Sequence, residues 1–100
     1  MSLTKDFFKT TRILDGGMGQ ELLNRGVIPH GSIWGATALF QKKYHKLLVK
    51  THLDFINAGA EVIVTNTFGS RKRRLIENKL SHKYVELNKL AGKLARVAVK

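Results

Sequence analysis

The run Ile13-Leu14-Asp15-Gly16-Gly17-Met18-Gly19-Gln20-Glu21 holds the residues best suited to chemistry in this chain of 100 residues. Two aliphatics lead into a carboxylate, and three glycines follow within four positions. A bare carboxylate beside glycine backbone can accept hydrogen bonds from a ligand ammonium, and glycine lets that ligand approach the main chain closely. The same residues also suit a tight turn in which Asp15 caps the next helix. Neither common phosphate motif is present. Leu22 stands where a dinucleotide fingerprint needs its third glycine, and no Gly-Lys-Ser/Thr follows as a P-loop requires.

Other residue groups carry weaker signals. Thr65-Asn66-Thr67 offers two hydroxyls and an amide where an apolar run ends, or simple turn chemistry. Arg71-Lys72-Arg73-Arg74 could grip phosphates, although a solvated basic surface explains it as well. No aromatic interleaving or zinc spacing supports a nucleic-acid module. His45 and His52 are seven residues apart on a helical segment, roughly 10 Å along the axis, too far to share a metal readily. His30 and His82 are isolated, and Trp34 reads as core. Without cysteine, neither a disulfide nor a thiolate metal site can form within the chain.

The elements that must position these groups follow from periodicity. Residues 1–10 read as an amphipathic lead-in of a turn or two. Arg12 to Asp15 and Glu61 to Thr65 read as short strands, the second β-branched and of the kind buried on both faces of a parallel sheet. Residues 18–25 suit a helix ended by Gly26, and 26–41 suit an irregular but packed connection. A helix over 42–58 would bury Tyr44, Leu47, Leu48, Thr51, Phe55 and Ala58, with Gly59 closing it. Residues 71–79 start another helix, and Ser81 could cap a last one over 82–100 with a stripe of Tyr84, Leu87, Ala91, Leu94 and Ala98. Strands alternating with helices argue for an α/β fold with a parallel sheet. Two strands cannot complete such a sheet, so the order predicts opening β/α units of a larger architecture. A (β/α)8 barrel needs about 250 residues.

A net charge of +11 and a pI near 10.4 raise the case for an anionic partner. At 43% hydrophobic and 25% charged residues the chain is globular rather than disordered. No segment reaches the roughly 18 apolar residues of a membrane span, and Met1 to Asp6 carries no apolar signal core, so the expected location is the cytoplasm.

Three segments together resemble one family. Ile13 to Gly26 is similar to the opening of homocysteine S-methyltransferases, Ile33-Trp34-Gly35-Ala36 to the Trp-Ser-Ala element that follows, and His52 to Phe68 to the second β/α unit. The resemblance covers roughly 12 to 98. It implies a (β/α)8 TIM barrel of which residues 1–100 are the N-terminal part. It implies methyl transfer from betaine, S-methylmethionine or methylfolate to the homocysteine thiol, forming methionine. It also implies zinc held by three cysteines of later strands, for which this chain has no ligands. Asp15 would hold the substrate ammonium, with Gly16 and Gly17 beside it and Thr65, Asn66 and Thr67 lining the same pocket. Gly35 stands where the family usually has serine. Homocysteine and a methyl donor are the expected ligands. The remaining barrel segment or self-association is the expected partner, and the isolated chain is expected to be non-catalytic. The alternative is a basic nucleic-acid-binding module using Arg71 to Arg74.

Overall fold

The computed structural model describes residues 4–99. Five α-helices are joined by short 3-10 turns: α1 Met18–Asn24, α2 Thr37–Phe40, α3 His45–Asn57, α4 Lys72–Glu77 and α5 Tyr84–Val99. Helix α1 turns Met18 and Leu22, four positions apart, to the interior. It stops where Gly26 takes φ +104°, a conformation costly for any side chain. Helix α3 buries Leu48, Thr51 and His52. The Thr51 hydroxyl donates back to the Leu47 carbonyl at 2.7 Å, so this buried polar group is satisfied within its own helix. Gly59, at φ +120°, ends the segment.

Helix α5 presents Leu87, Ala91, Ala95 and Ala98 inward, and its small residues let it lie along α3. The core joins all five helices through side chains with no accessible surface, among them Leu22, Leu48 and Leu75, with Ile33 and Leu39 nearly or fully as closed. Each such aliphatic chain contributes on the order of 1.5–3 kcal/mol by leaving water. Arg25 ties α1 to α3, meeting Glu21 and Asp54 at 2.8 Å each. Those bonds, Glu21 first, hold its guanidinium still more firmly protonated.

The expected α/β fold, the opening of a TIM barrel, is overturned. Among the described residues no strand and no sheet forms. The two apolar runs meet in one isolated parallel bridge between Leu14 and Val62. The supporting bonds are Asp15 N–H to Val62 O at 3.0 Å and Glu61 N–H to Ile13 O at 2.8 Å. Each run has only the other as a neighbour, and a parallel pair needs further strands and covered faces to extend. Here Ile13, Leu14 and Val64 stay more than half exposed.

Smaller corrections follow the same logic of local packing. The connection over 26–41 is largely helical, with a 3-10 segment Gly31–Ala36 running into α2. Its Ile33, Ala36, Ala38 and Leu39 supply core, and this burial drives the chain into helical turns. Ala58 lies exposed past the end of α3. The fourth helix is confined to Lys72–Glu77, and the last begins at Tyr84 after a 3-10 turn at Ser81–Lys83. The expected lead-in is a single 3-10 turn, Asp6–Lys9, while Met1 to Leu3 and Lys100 lie outside the described residues. No helix among the described residues is long and apolar enough to cross a membrane.

Candidate functional site

The bridge at Leu14 and Val62 sets Asp15 beside the segment that follows Val62. The Val64 N–H donates to Asp15 Oδ2 at 3.1 Å. Asp15 therefore does not cap α1, whose N-terminus at Gly17 has no side-chain cap. Behind the bridge, Arg12 clamps Glu61 at 2.8 Å and the Ile13 N–H also reaches that carboxylate. These contacts, Arg12 foremost, hold the Glu61 carboxyl below its ordinary range.

All six residues singled out from the sequence, Asp15, Gly16, Gly17, Thr65, Asn66 and Thr67, line one cleft of about 760 Å³. That size suits a small molecule. The two threonine hydroxyls pair at 3.2 Å, and the Thr67 N–H closes a three-residue turn onto Thr65 O at 2.8 Å. Asn66 is buried and points elsewhere, its amide donating to the Gly35 carbonyl at 2.8 Å. It braces the cleft wall.

The acid inventory sets Asp15 apart. The chain has seven acidic residues against 18 Lys and Arg. Asp6, Glu21, Asp54, Glu61, Glu77 and Glu86 each sit within 4 Å of a lysine or arginine. Asp15 alone has no such partner among the described residues.

Sequence reasoning missed Trp34. Read as core, it is 55% exposed and lines the cleft. Its backbone takes φ 53° and ψ −127°, the geometry of a type II′ turn that glycine normally occupies. The signal was available in part, because Trp34 precedes Gly35 and the turn needs room there. A Cβ on Gly35 would lie 2.6 Å from Gly19 Cα, and one on Gly69 would run into the Ile33 carbonyl. Gly35 is thus a packing requirement between α1 and this kink.

His52 is fully buried with neither ring nitrogen partnered. Burial pushes its pKa down, and the nearby Asp15 carboxylate opposes this more weakly. His45 instead lies 2.9 Å from the Leu39 carbonyl. The zinc that the resemblance implies does not fit this chain. It contains no cysteine, and among the described residues no three His, Cys, Asp or Glu side chains are grouped to hold an ion. The basic run is split: Arg71 and Arg74 line the cleft while Lys72 and Arg73 face solvent.

The class that fold and recess mark is a helical unit with a cleft of small-molecule size, where one carboxylate without an ion-pair partner shares the lining with glycine backbone, hydroxyls and two arginines. The homocysteine S-methyltransferase family model matches residues 12–100, and the chain belongs to that family. It is similar to homocysteine S-methyltransferase 2 of Saccharomyces cerevisiae, with 29% identity over 94 residues, covering 86% of this chain and 29% of the relative. Homocysteine S-methyltransferase 4 of Zea mays is 38% identical over 56 residues, covering 56% of this chain and 16% of the relative. Homocysteine S-methyltransferase 1 of Saccharomyces cerevisiae is 32% identical over 73 residues, 66% of this chain and 22% of the relative. The chain thus spans under a third of the length of these curated relatives. No solved structure matches it.

Proposed function

We propose that this chain supplies amino-acid recognition for methyl transfer to homocysteine, with Asp15 receiving the substrate ammonium. The observation that carries the reading is the isolation of Asp15, the one acid without a basic partner among the described residues, on a cleft it shares with Gly16, Gly17, Thr65 and Thr67. One carboxylate oxygen is held by Val64 N–H, which fixes the group's orientation. The other oxygen can accept an ammonium hydrogen. The paired threonine hydroxyls offer further acceptors at the same wall.

The methyl donor is of the class named by the family resemblance: betaine, S-methylmethionine or methylfolate. An onium donor would find the exposed Trp34 ring, whose face attracts cations. The thiol must lose its proton to attack a methyl group, and an unassisted thiol has a pKa of about 8.5. No cleft residue is a base suited to that proton, so the isolated chain binds substrate without turning it over.

The test is calorimetric titration of homocysteine into the chain and its Asp15→Asn variant, beside 4-mercaptobutanoate, which lacks the ammonium. A hydrogen bond between charged groups contributes about 1.5–3 kcal/mol, so Asp15→Asn should weaken homocysteine binding roughly 10- to 150-fold. The analogue should bind weakly and equally to both proteins. Equal homocysteine affinity for the two proteins refutes the assignment.

A further inference from the structure

Helix α5 carries one residue that its own helical propensity does not explain. Asn88 is half-buried beside the inward-facing Leu87. Asparagine is a poor choice in a helix interior, because its amide competes for backbone partners. That amide reaches out of the helix to Ser70, 18 positions earlier. Asn88 Nδ2 donates to the Ser70 carbonyl at 3.0 Å and to the Tyr84 carbonyl at 2.8 Å. Asn88 Oδ1 accepts from the Ser70 hydroxyl at 3.0 Å. The two carbonyl acceptors fix which end of the amide carries its N–H groups. Two bonds to one residue fix rotation as well as position, which a single contact would not.

Ser70 is fully buried at the end of the 3-10 turn Phe68–Ser70. Its N–H and its hydroxyl both lie 3.2 Å from the Thr67 carbonyl. The Thr67 N–H is already committed to Thr65 O at 2.8 Å. Both backbone polar groups of Thr67 are thereby held, one by the turn and one by Ser70. Thr67 Oγ1 then meets Thr65 Oγ1 at 3.2 Å on the cleft wall. The hold passes from α5 through Asn88 and Ser70 to the threonine pair. It shares no bond with the Leu14–Val62 bridge that places Asp15, so the acid and the hydroxyls have separate supports.

We propose that Asn88 is a positioning residue for the substrate. Through Ser70 it holds the Thr65 and Thr67 hydroxyls where an ammonium received by Asp15 can use them, and so sets the preference for an amino acid over its des-amino counterpart. This role deepens the reading of Asp15 and rests on it. Asn88 itself stands outside the lining of the cleft and acts only through the residues it holds.

The experiment measures homocysteine and 4-mercaptobutanoate affinities by calorimetry for the full chain, Asn88→Ala, Asn88→Asp, Ser70→Ala, the double variant Asn88→Ala with Ser70→Ala, and Asp15→Asn. Each Asn88 and Ser70 variant should cut the preference for homocysteine over the analogue by about 3- to 10-fold, the worth of one hydrogen bond. Affinity for the analogue, which has no ammonium, should stay at the parent value. Aspartate matches asparagine in shape but lacks its N–H groups, so a mere packing role would spare Asn88→Asp and a positioning role would not. The double variant should be no worse than Asn88→Ala, because both changes break one chain of contacts. In the ligand-free protein, amide exchange at Thr67 and Ser70 should quicken in these variants and stay unchanged at Leu48 in α3, which also shows that the core remains folded. Ser70→Ala removes a single hydroxyl and tests the same path should an Asn88 variant fail to fold. A parent-like preference in Asn88→Asp and Ser70→Ala, an equal loss of both ligands, or unchanged exchange at Thr67 and Ser70 overturns the proposal. A preference lost in Asn88→Ala but kept in Asp15→Asn refutes the Asp15 reading instead and leaves the ammonium to the threonines.

Discussion

Replacing Gly35 with serine, the residue the family resemblance leads one to expect there, should harm this protein. An ideal Cβ on Gly35 lies 2.6 Å from Gly19 Cα, about 0.8 Å inside the 3.4 Å at which ordinary contact begins. The obstruction is backbone and cannot rotate aside. Overpacking of this kind costs roughly 1–3 kcal/mol. For a domain of this length that should lower the thermal midpoint by about 5–20 °C. The contact is asymmetric, which makes the test sharp. A Cβ on Gly19 would meet Gly35 and the Trp34 ring at 3.9 Å, ordinary distances. Gly19 also lies inside α1, where alanine is favoured by roughly 0.5–1 kcal/mol. Urea denaturation and thermal melting of Gly35→Ala, Gly35→Ser and Gly19→Ala should therefore give two destabilised proteins and one equal to or more stable than the parent. Because Asn66 binds the Gly35 carbonyl, movement at 35 should reach the Thr65–Thr67 turn and weaken homocysteine binding as well. Equal stability of Gly35→Ala and the parent, or the opposite ranking of the two alanine variants, would refute the close approach of α1 to the kink.

Three further outcomes are expected. Trp34→Gly relieves a positive φ that costs about 1–3 kcal/mol in a non-glycine residue, so it should raise the urea midpoint while weakening any onium ligand; a lowered midpoint would show that ring packing dominates. His52 is held neutral by burial, so the unfolded chain binds a proton that the folded chain resists. Stability should be full above the unfolded histidine value of about 6.5 and fall as pH drops below it. Denaturation at pH 7.5 and 5.5 should show that loss in the parent and a smaller one in His52→Leu; an equal loss in both would assign the slope elsewhere. Gly92 lies within α5, and a Cβ added there would meet nothing within 4 Å, so Gly92→Ala should stabilise by roughly 0.5–1 kcal/mol, read as a higher thermal midpoint.

What is legible in the sequence is mostly local. The three-and-four spacing of Leu48, Thr51 and Phe55 locates α3, and Gly26 and Gly59 both take the positive φ that ends their helical segments. The nearness of Asp15 to Thr65–Thr67 is also readable, from the pairing of two apolar runs. The sheet is a false reading, because β-branched residues at 62–64 describe a preference that only neighbouring strands can realise. Trp34 escapes because an indole's burial depends on a turn whose geometry is imposed by Gly35, Gly19 and Asn66 from other segments. The helical character of 31–40 stays hidden because its apolar residues lack a clean period and are drawn in by tertiary contact.

The pairing of Ile13 and Leu14 with Glu61 and Val62 joins segments some 48 positions apart through very few hydrogen bonds. Opening those bonds separates Asp15 from Val64 without unfolding α3 or α5, so amide exchange at positions 15 and 62 should outpace that of the helical core. Fast exchange there would make the Asp15–Val64 geometry one member of an equilibrium, and the affinity measured for a ligand would be the intrinsic value scaled by its population. A ligand bridging both segments acts as a clasp, and its first visible effect is slower exchange along that seam.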